Sequence, residues 1–296
     1  MKCLICGEER KIKYSNVKDY LLGSNNLSDI CYCKKDGLMW VNNEINNDNL
    51  RDAYTGYHAH ADFPSPNLSD SIKAFEKLGL GFYIKKITNK NVLDFGCGSG
   101  SFLKQVKVLG GNAFGTEFDG GPLVKLKEIF GEKYIKNDKE LFNLEDNFFD
   151  IIVMNHVIEH LDNPLEVISN LHRILNNGGI IVVATPNNTS LGHLLFGKRW
   201  RGLEPPRHRF IFSKKSLIKI FSLNNFSVSR VLFSSKMARG IFVSGLFPSL
   251  ESMKNKPSWR YIVHLFGGIF YLFEIFLGFI GFNKLKEEII IIFNKE

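Results

Sequence analysis

The sequence predicts an α/β fold, a mostly parallel sheet with helices on both faces, and three observations carry that prediction. A short apolar run with an acid near its end, Val92-Leu93-Asp94-Phe95, feeds into Gly96, Gly98 and Gly100 and then into a helically spaced stretch from Phe102 to Leu109. Strand-like and helical patterns then alternate as far as residue 233, as they do when parallel strands are joined by crossover helices. The run from Ile151 to Met154 is apolar throughout, which suits a strand buried on both faces.

The chain has 296 residues, 44% of them apolar and 23% charged, enough for one substantial core and a small extra module. Its formal charge of +8 favours anionic partners, although abundant surface lysine explains the same number. No aromatic ribonucleoprotein motif or basic helix accompanies the charge, so nucleic acid is not an expected partner. The N-terminus lacks an apolar core of the signal-peptide type, and a cytoplasmic location is expected.

Four of the five cysteines lie near the N-terminus, as Cys3-x-x-Cys6 and Cys31-x-Cys33. In a reducing compartment such pairs point to zinc rather than to disulfides. Residues 42–67 read as a linker followed by an aromatic segment, in which Tyr54 and Tyr57 can share a helix face. A helix is expected from Ser69 to Lys85, on the apolar positions Ile72, Phe75, Leu78 and Leu80.

The glycine turn reads Asp-x-Gly-x-Gly-x-Gly, not the G-x-G-x-x-G of a dinucleotide site. A carboxylate just before the first glycine opposes a pyrophosphate and suits a ligand that carries an amine or a positive charge. Glycine lets the backbone turn and lets a ligand lie against it, here with Cys97 inside the turn. Seventeen residues past Gly100, Glu117 stands at the tip of a second strand (Asn112 to Glu117), where an acid can accept hydrogen bonds from ribose hydroxyls.

At these residues the chain resembles the class I S-adenosylmethionine-dependent methyltransferases. Asp94, Gly96, Gly98 and Gly100 match that family's first motif and Glu117 its ribose-binding acid. The likeness runs on through Phe149 to Asn155 and His156-Val157-Ile158-Glu159-His160-Leu161. It implies a Rossmann-like sheet of seven strands, the last antiparallel between its neighbours, and S-adenosylmethionine as cofactor. It also implies a cofactor site made of Asp94, Gly96, Cys97, Gly98, Gly100, Glu117 and Asn155, with Asp138 beside the adenine. In such enzymes an aromatic segment ahead of the sheet often closes over the cofactor, which gives Tyr54 and Tyr57 a second reading besides packing.

The N-terminus is similar to that of methyltransferases acting on sugars and glycan precursors, which open with Cys-x-x-Cys-Gly and later carry Cys-x-x-Cys-Gly-Leu. Aligned that way, Cys33-Lys34-Lys35-Asp36-Gly37-Leu38 has aspartate where the fourth cysteine belongs. The implied ligands are Cys3, Cys6, Cys33 and Asp36, in a structural zinc knuckle over residues 1–41. Two alternatives stay open: Cys31 in place of Asp36, or a metal-free module.

Downstream, Pro122 to Phe130 reads as a helix and Tyr134-Ile135 as a short third strand. Asn163 caps a helix that Pro164 opens and that runs to Leu175; Ile180 to Ala184 is the fifth strand. The segment from Gly197 to Arg209 is dense in Arg, Trp and His. It is expected as a lid whose arginines fork onto phosphate or carboxylate and whose Trp200 stacks on a sugar. A basic solvated loop is the plainer alternative. Phe212-Ser213 then precedes a helix from Lys214 to Phe221. Candidate general bases are His156, His160 and His208, with His156 and His208 favoured.

Strands are expected at Val228 to Phe233 and Glu288 to Phe293, enclosing an insertion over residues 234–287 that interrupts the core of residues 68–233. Its apolar part, Tyr261 to Phe282, contains His264 and Glu274, and a carboxylate in mid-segment argues against a membrane span. Helices lying on a membrane, a buried lid and a dimer face all remain open for it. The function expected is methyl transfer to a small or lipid-linked acceptor. A sugar or polysaccharide precursor comes first and a prenylated quinone-type phenol second, with a peripheral place at the inner membrane face. A nicotinamide-dependent oxidoreductase lacks its glycine spacing here, and a non-enzymatic zinc and membrane adaptor is the rival from another class.

Overall fold

A computed structural model of the chain describes residues 2–19, 27–42, 67–78, 80, 81, 87–117, 124, 126–128, 130, 131, 135, 136, 143–246 and 257–296. Three short strands open it: β1 (Lys11–Val17), β2 (Ser28–Tyr32) and β3 (Met39–Val41). Helix α1 (Leu68–Lys77) precedes β4 (Asn91–Phe95), α2 (Ser101–Val108), β5 (Asn112–Thr116) and β6 (Ile135–Lys136). Then come β7 (Phe149–Asn155), α3 (Pro164–Ile174), β8 (Leu175–Pro186) and α4 (Leu191–Phe196). The last part holds β9 (Phe210–Ile211), α5 (Lys214–Ser222), β10 (Phe226–Ser234), α6 (Ala238–Leu246), α7 (Pro257–Phe279) and β11 (Glu288–Lys295).

The main sheet has the order β10-β11-β8-β7-β4-β5-β6. Strands β4 to β8 pair in parallel, and β11 lies antiparallel between β8 and β10. This is the seven-stranded, mostly parallel sheet that the family resemblance implied. Local chemistry sets its elements. Val92, Leu93 and Phe95 are buried, and the edge of β4 is tied by the Asn91 N–H donating to Asp150 at 2.9 Å. Asn163 accepts from the Glu166 N–H at the start of α3, with Pro164 in the first turn, while Ser213 and Ser216 cap α5 reciprocally. Apolar side chains pack on both faces: Leu93, Ile152, Ile181 and Ile291 in one layer, Val92, Ile151, Val182 and Ile290 in the other.

Element bounds depart from expectation in two places. Helix α1 ends at Lys77 rather than Lys85, and β8 begins at Leu175, five residues before the apolar run. Leu175 can pair with Phe149 across a register shift, so the strand starts where the preceding helix stops. The 42–67 segment with Tyr54 and Tyr57 falls almost wholly outside the described residues. Of the helix expected from Pro122, residues 124, 126–128 and 130 are described, and all are helical.

A second sheet has the order β1-β2-β3-β9. Its last member comes from the segment that follows β8, so the N-terminal strands are completed by the methyltransferase-like part of the chain. Leu38 and Trp40 share a buried cluster with Phe210, Phe212 and Leu217. Strands β1 to β3 are thus built onto the core rather than hung from it.

Candidate active site

In open α/β sheets ligands collect beyond the carboxyl ends of the parallel strands. Here that edge is formed by the turn after β4, the tip of β5, the end of β7 and the end of β8. Gly96, Gly98 and Gly100 have φ of 76°, 53° and 71°, a region that costs an L side chain strain. A Cβ on Gly96 would strike Val157 at 2.6 Å and one on Gly100 would strike Leu126 at 2.7 Å, whereas at Gly98 nothing lies within 4 Å. Two glycines therefore serve packing, and Gly98 opens onto a space a ligand can enter. Cys97 is buried against β5: a Cβ on Gly115 would meet its sulfur at 2.8 Å. Its N–H donates to the Thr116 carbonyl at 2.8 Å, so Cys97 contributes backbone rather than thiol chemistry.

The acids converge on that opening. The Gly98 N–H donates to Glu117 Oε2 at 2.6 Å, and the Gly96 N–H donates to Thr116 Oγ1 at 3.2 Å. Asp94 is 4% exposed, and burial, with the nearby Glu117 charge, pushes its pKa up to about 7. Two carboxyls beside one open backbone suit a ligand with hydroxyl donors and a cationic amine, and they oppose a pyrophosphate. Asn155 ends β7 exposed at the same edge. Asp138 lies outside the described residues.

His156 follows Asn155 with φ 57° and donates its N–H to the Ala184 carbonyl at 2.9 Å. Its Nδ1 lies 3.2 Å from Glu159 and its Nε2 2.7 Å from Glu288. Burial alone would lower the imidazole pKa, but the two carboxylates outweigh it and raise it to about 10. Glu159 is held near 2: its burial is outweighed by His156, and Thr185 Oγ1 donates to it at 3.0 Å. An imidazole whose two nitrogens both face carboxylates has no lone pair to offer. His156 holds a proton at neutral pH rather than taking one, which corrects the general-base reading of this residue.

The segment expected as a lid is a buried tie. Trp200 is 1% exposed and its Nε1–H donates to Glu287 at 2.9 Å. Arg207, also 1% exposed, pairs with Asp19 at 2.8 Å and with Glu204 at 3.0 Å. Arg201 pairs with Glu204, and Arg209 with Asp162. His208 is buried, its Nδ1–H on the Gly202 carbonyl at 2.8 Å, and its ring lies 4.8 Å from that of His160. His160 donates from Nδ1 to the Arg207 carbonyl at 2.9 Å, and burial, then the His208 charge, lower its pKa to about 4. Burial thus favours the neutral form of His160.

The four expected metal ligands do meet. Cys6 and Cys33 sulfurs are 3.6 Å apart, and Asp36 Oδ2 is 3.6 Å from the sulfurs of both Cys3 and Cys33. A tetrahedral zinc with sulfur ligands at about 2.3 Å sets neighbouring sulfurs roughly 3.8 Å apart, so this spacing fits that ion. Cys31 is buried in the apolar core and stands outside the group. Lys219 of α5 reaches Asp36 at 2.7 Å, which ties the cluster to the main sheet's helix layer.

Several site residues had no sequence signal. Glu159 is three positions from His156, a spacing that can be read, but Glu288 is far along the chain and Asp19 precedes Arg207 by 188 residues. Only the fold brings them together.

A parallel α/β sheet with an acid-led glycine turn, a second-strand acid and an antiparallel last strand defines the class I methyltransferases, whose cofactor is S-adenosylmethionine. A family model described as a methyltransferase domain matches residues 71–231, more than half the chain, and the chain belongs to that family. Among curated proteins, a malonyl-[acyl-carrier protein] O-methyltransferase from Paenibacillus is 28% identical over 53% of this chain and 61% of its own length. A ubiquinone biosynthesis O-methyltransferase from Pasteurella multocida is 28% identical over 35% of this chain and 49% of its own. The chain thus spans about half to three-fifths of these relatives. A solved structure, a proposed sarcosine dimethylglycine methyltransferase from Galdieria sulphuraria, matches with TM-score 0.53 and 14% identity over 84% of this chain and 99% of its own. That likeness is one of fold.

Proposed function

We propose that this chain transfers a methyl group from S-adenosylmethionine to an oxygen of an acceptor carried on an apolar or lipid-linked body. The observation that carries the reading is the pair of acids, Asp94 and Glu117, beside the open Gly98. When bound, the cofactor supplies a methyl group on a positively charged sulfur. Gly96, Gly98 and the Cys97 backbone shape the cradle, Glu117 accepts from hydroxyls, and Asp94 answers the amine. Because Asp94 titrates near 7 in the free protein, binding of a cationic group favours its ionised form and releases a proton near neutral pH. The His156–Glu159–Glu288 group ties the end of β7 to β11 across the end of β8, with Asn155 exposed beside it, and most of the rate comes from holding the reactants in line.

The acceptor reading draws on the O-methyltransferase relatives and on the exposed apolar face of α7. The features on which a sugar acceptor leaned, Trp200 and Arg207, are buried and internally paired. A polysaccharide-precursor acceptor stays as a second reading because Cys3, Cys6, Cys33 and Asp36 gather as in the knuckle-bearing enzymes the N-terminus resembles. In both readings the cluster holds a structural zinc.

Calorimetry with S-adenosylhomocysteine tests the donor site. Wild type is expected to bind, and Gly98→Arg and Glu117→Ala to lose most of that binding while keeping their fold. No binding by wild type, or undiminished binding by both variants, would sink the reading and favour a non-enzymatic adaptor. Labelled methyl transfer onto quinone-type phenols, acyl-carrier carboxylates and nucleotide sugars then separates the acceptors.

A further inference from the structure

Helix α7 presents its large apolar side chains to solvent. Tyr261, Leu265, Ile269, Leu272, Phe276 and Phe279 are each 55% to 86% exposed. At about 100° per residue they fall within an arc of roughly 80°. Gly267, Phe270 and Glu274 occupy the opposite side and are buried. The helix is held there closely: a Cβ on Gly267 would meet the Arg239 carbonyl oxygen at 2.9 Å, and Phe270 stacks on Phe242 of α6 at 4.4 Å. An apolar ridge of this kind on a soluble chain marks a contact surface.

Charge decides what meets it. Residues 234–286 carry seven lysines and arginines against two glutamates, and one of the two, Glu274, is 1% exposed. Lys236, Arg239 and Lys284 are exposed around the helix. Like charges would oppose a second copy on this face and favour an anionic surface. Among the described residues no helix is long and apolar enough to cross a membrane. Glu274 sits opposite the apolar arc, beside Glu287 and Ser235, and burial, with the Glu287 charge, pushes its pKa up to about 8. A mid-helix carboxyl turned into the protein and neutral at pH 7 is compatible with a helix lying flat.

We propose that α7 docks this chain on an anionic lipid surface, with its axis in the plane and its apolar ridge in the headgroup boundary. The docked helix ends at the ligand edge of the sheet. Asn187, just past β8, donates from its side chain to the carbonyls of Lys284 at 2.9 Å and Lys286 at 2.7 Å. The segment after α7 is thereby fixed beside Glu287, Glu288 and His156. An acceptor with a lipid body would reach the site along the membrane rather than from bulk water. This last step rests on the proposed acceptor class, while the docking does not.

Flotation of the full chain with vesicles of phosphatidylcholine alone, and of phosphatidylcholine with phosphatidylglycerol, tests it. Wild type is expected to float with the anionic vesicles and to be released by salt. Leu272→Asp with Phe276→Asp should lower binding about tenfold or more without lowering the melting temperature, since both side chains face water. Lys236→Glu with Lys284→Glu should weaken the anionic preference. Binding of S-adenosylhomocysteine, measured in parallel, is expected to be unchanged in all variants, which separates loss of docking from loss of the donor site. Absence of flotation by wild type, equal flotation by the aspartate variant, or a concentration-dependent dimer that this variant abolishes would each overturn the proposal.

Discussion

The strongest test of the site's internal chemistry is His156→Gln. The imidazole pKa rises from 6.5 to about 10 because Glu159 and Glu288, 1% and 3% exposed, flank it at 3.2 and 2.7 Å. A rise of about 3.5 units corresponds to at most about 5 kcal/mol of folding free energy, at about 1.4 kcal/mol per unit. The side chain keeps 28% exposure. A loss of roughly 2–4 kcal/mol for the Gln variant is therefore the expectation, part of it the penalty of leaving two buried carboxylates without their cation. The sign follows from the direction of the shift. A raised histidine contributes fully below 6.5, its unfolded value, and the contribution fades as pH climbs through about 10. Urea unfolding of wild type and variant from neutral to alkaline pH should show the gap largest near neutrality and shrinking toward pH 10. An imidazole resonance that titrates near 6.5 would refute the reasoning. So would a Gln variant of wild-type stability that loses only turnover, together with the acidic limb of its pH profile; that pattern is the mark of a general base.

Two further outcomes follow from the N-terminal part. Purified protein is expected to carry one zinc per chain by elemental mass spectrometry, Cys3→Ser to lose it, and Cys31→Ser to keep it, because Cys31 stands outside the cluster; a metal-free wild type would leave the module held by its apolar core alone. Asp19→Ala takes one of two carboxylates from the Arg207 guanidinium, in a site where Asp19 and Arg207 are each 1% exposed and Glu204 stays at 3.0 Å; a cost of about 3 kcal/mol, the low end for removing one partner of a buried pair, is expected in denaturant unfolding, partly recovered when Arg207→Met is added. An unchanged midpoint in the single variant would mean that Glu204 alone satisfies the arginine.

What was legible in the sequence is what local pattern encodes. The glycine turn, the apolar run within β7, the Asn163-Pro164 helix start and the antiparallel last strand all depend on neighbours a few residues away or on a resemblance carried by them. The cofactor cradle belongs to the same class, since Asp94 to Gly100 are contiguous and Glu117 ends the next strand. The role of Arg207 and Trp200 was not legible. Their composition reads as a polar lid, and whether a guanidinium faces a ligand or a buried aspartate depends on Asp19, from a strand-bearing segment at the other end of the chain. His156 misled for the same reason. A histidine at a strand end looks like a base until Glu288 arrives from β11, 132 residues later.

The last strand explains why so many of these couplings converge. Because β11 runs antiparallel to β8, its first residue, Glu288, lies opposite Pro186 at the ligand edge, not at the far edge where a parallel strand would begin. Glu287 and Glu288 project to different sides there. Glu287 takes N–H or O–H donors from Trp200, Ser190 and Gly192, and Glu288 takes His156. One dipeptide thus fastens the buried tie on one side and the end of β7 on the other. The chain that delivers it is the insertion carrying α7. The antiparallel strand therefore does more than close the sheet: Glu287 and Glu288, where the segment after α7 enters it, are fastened to Trp200 and to His156.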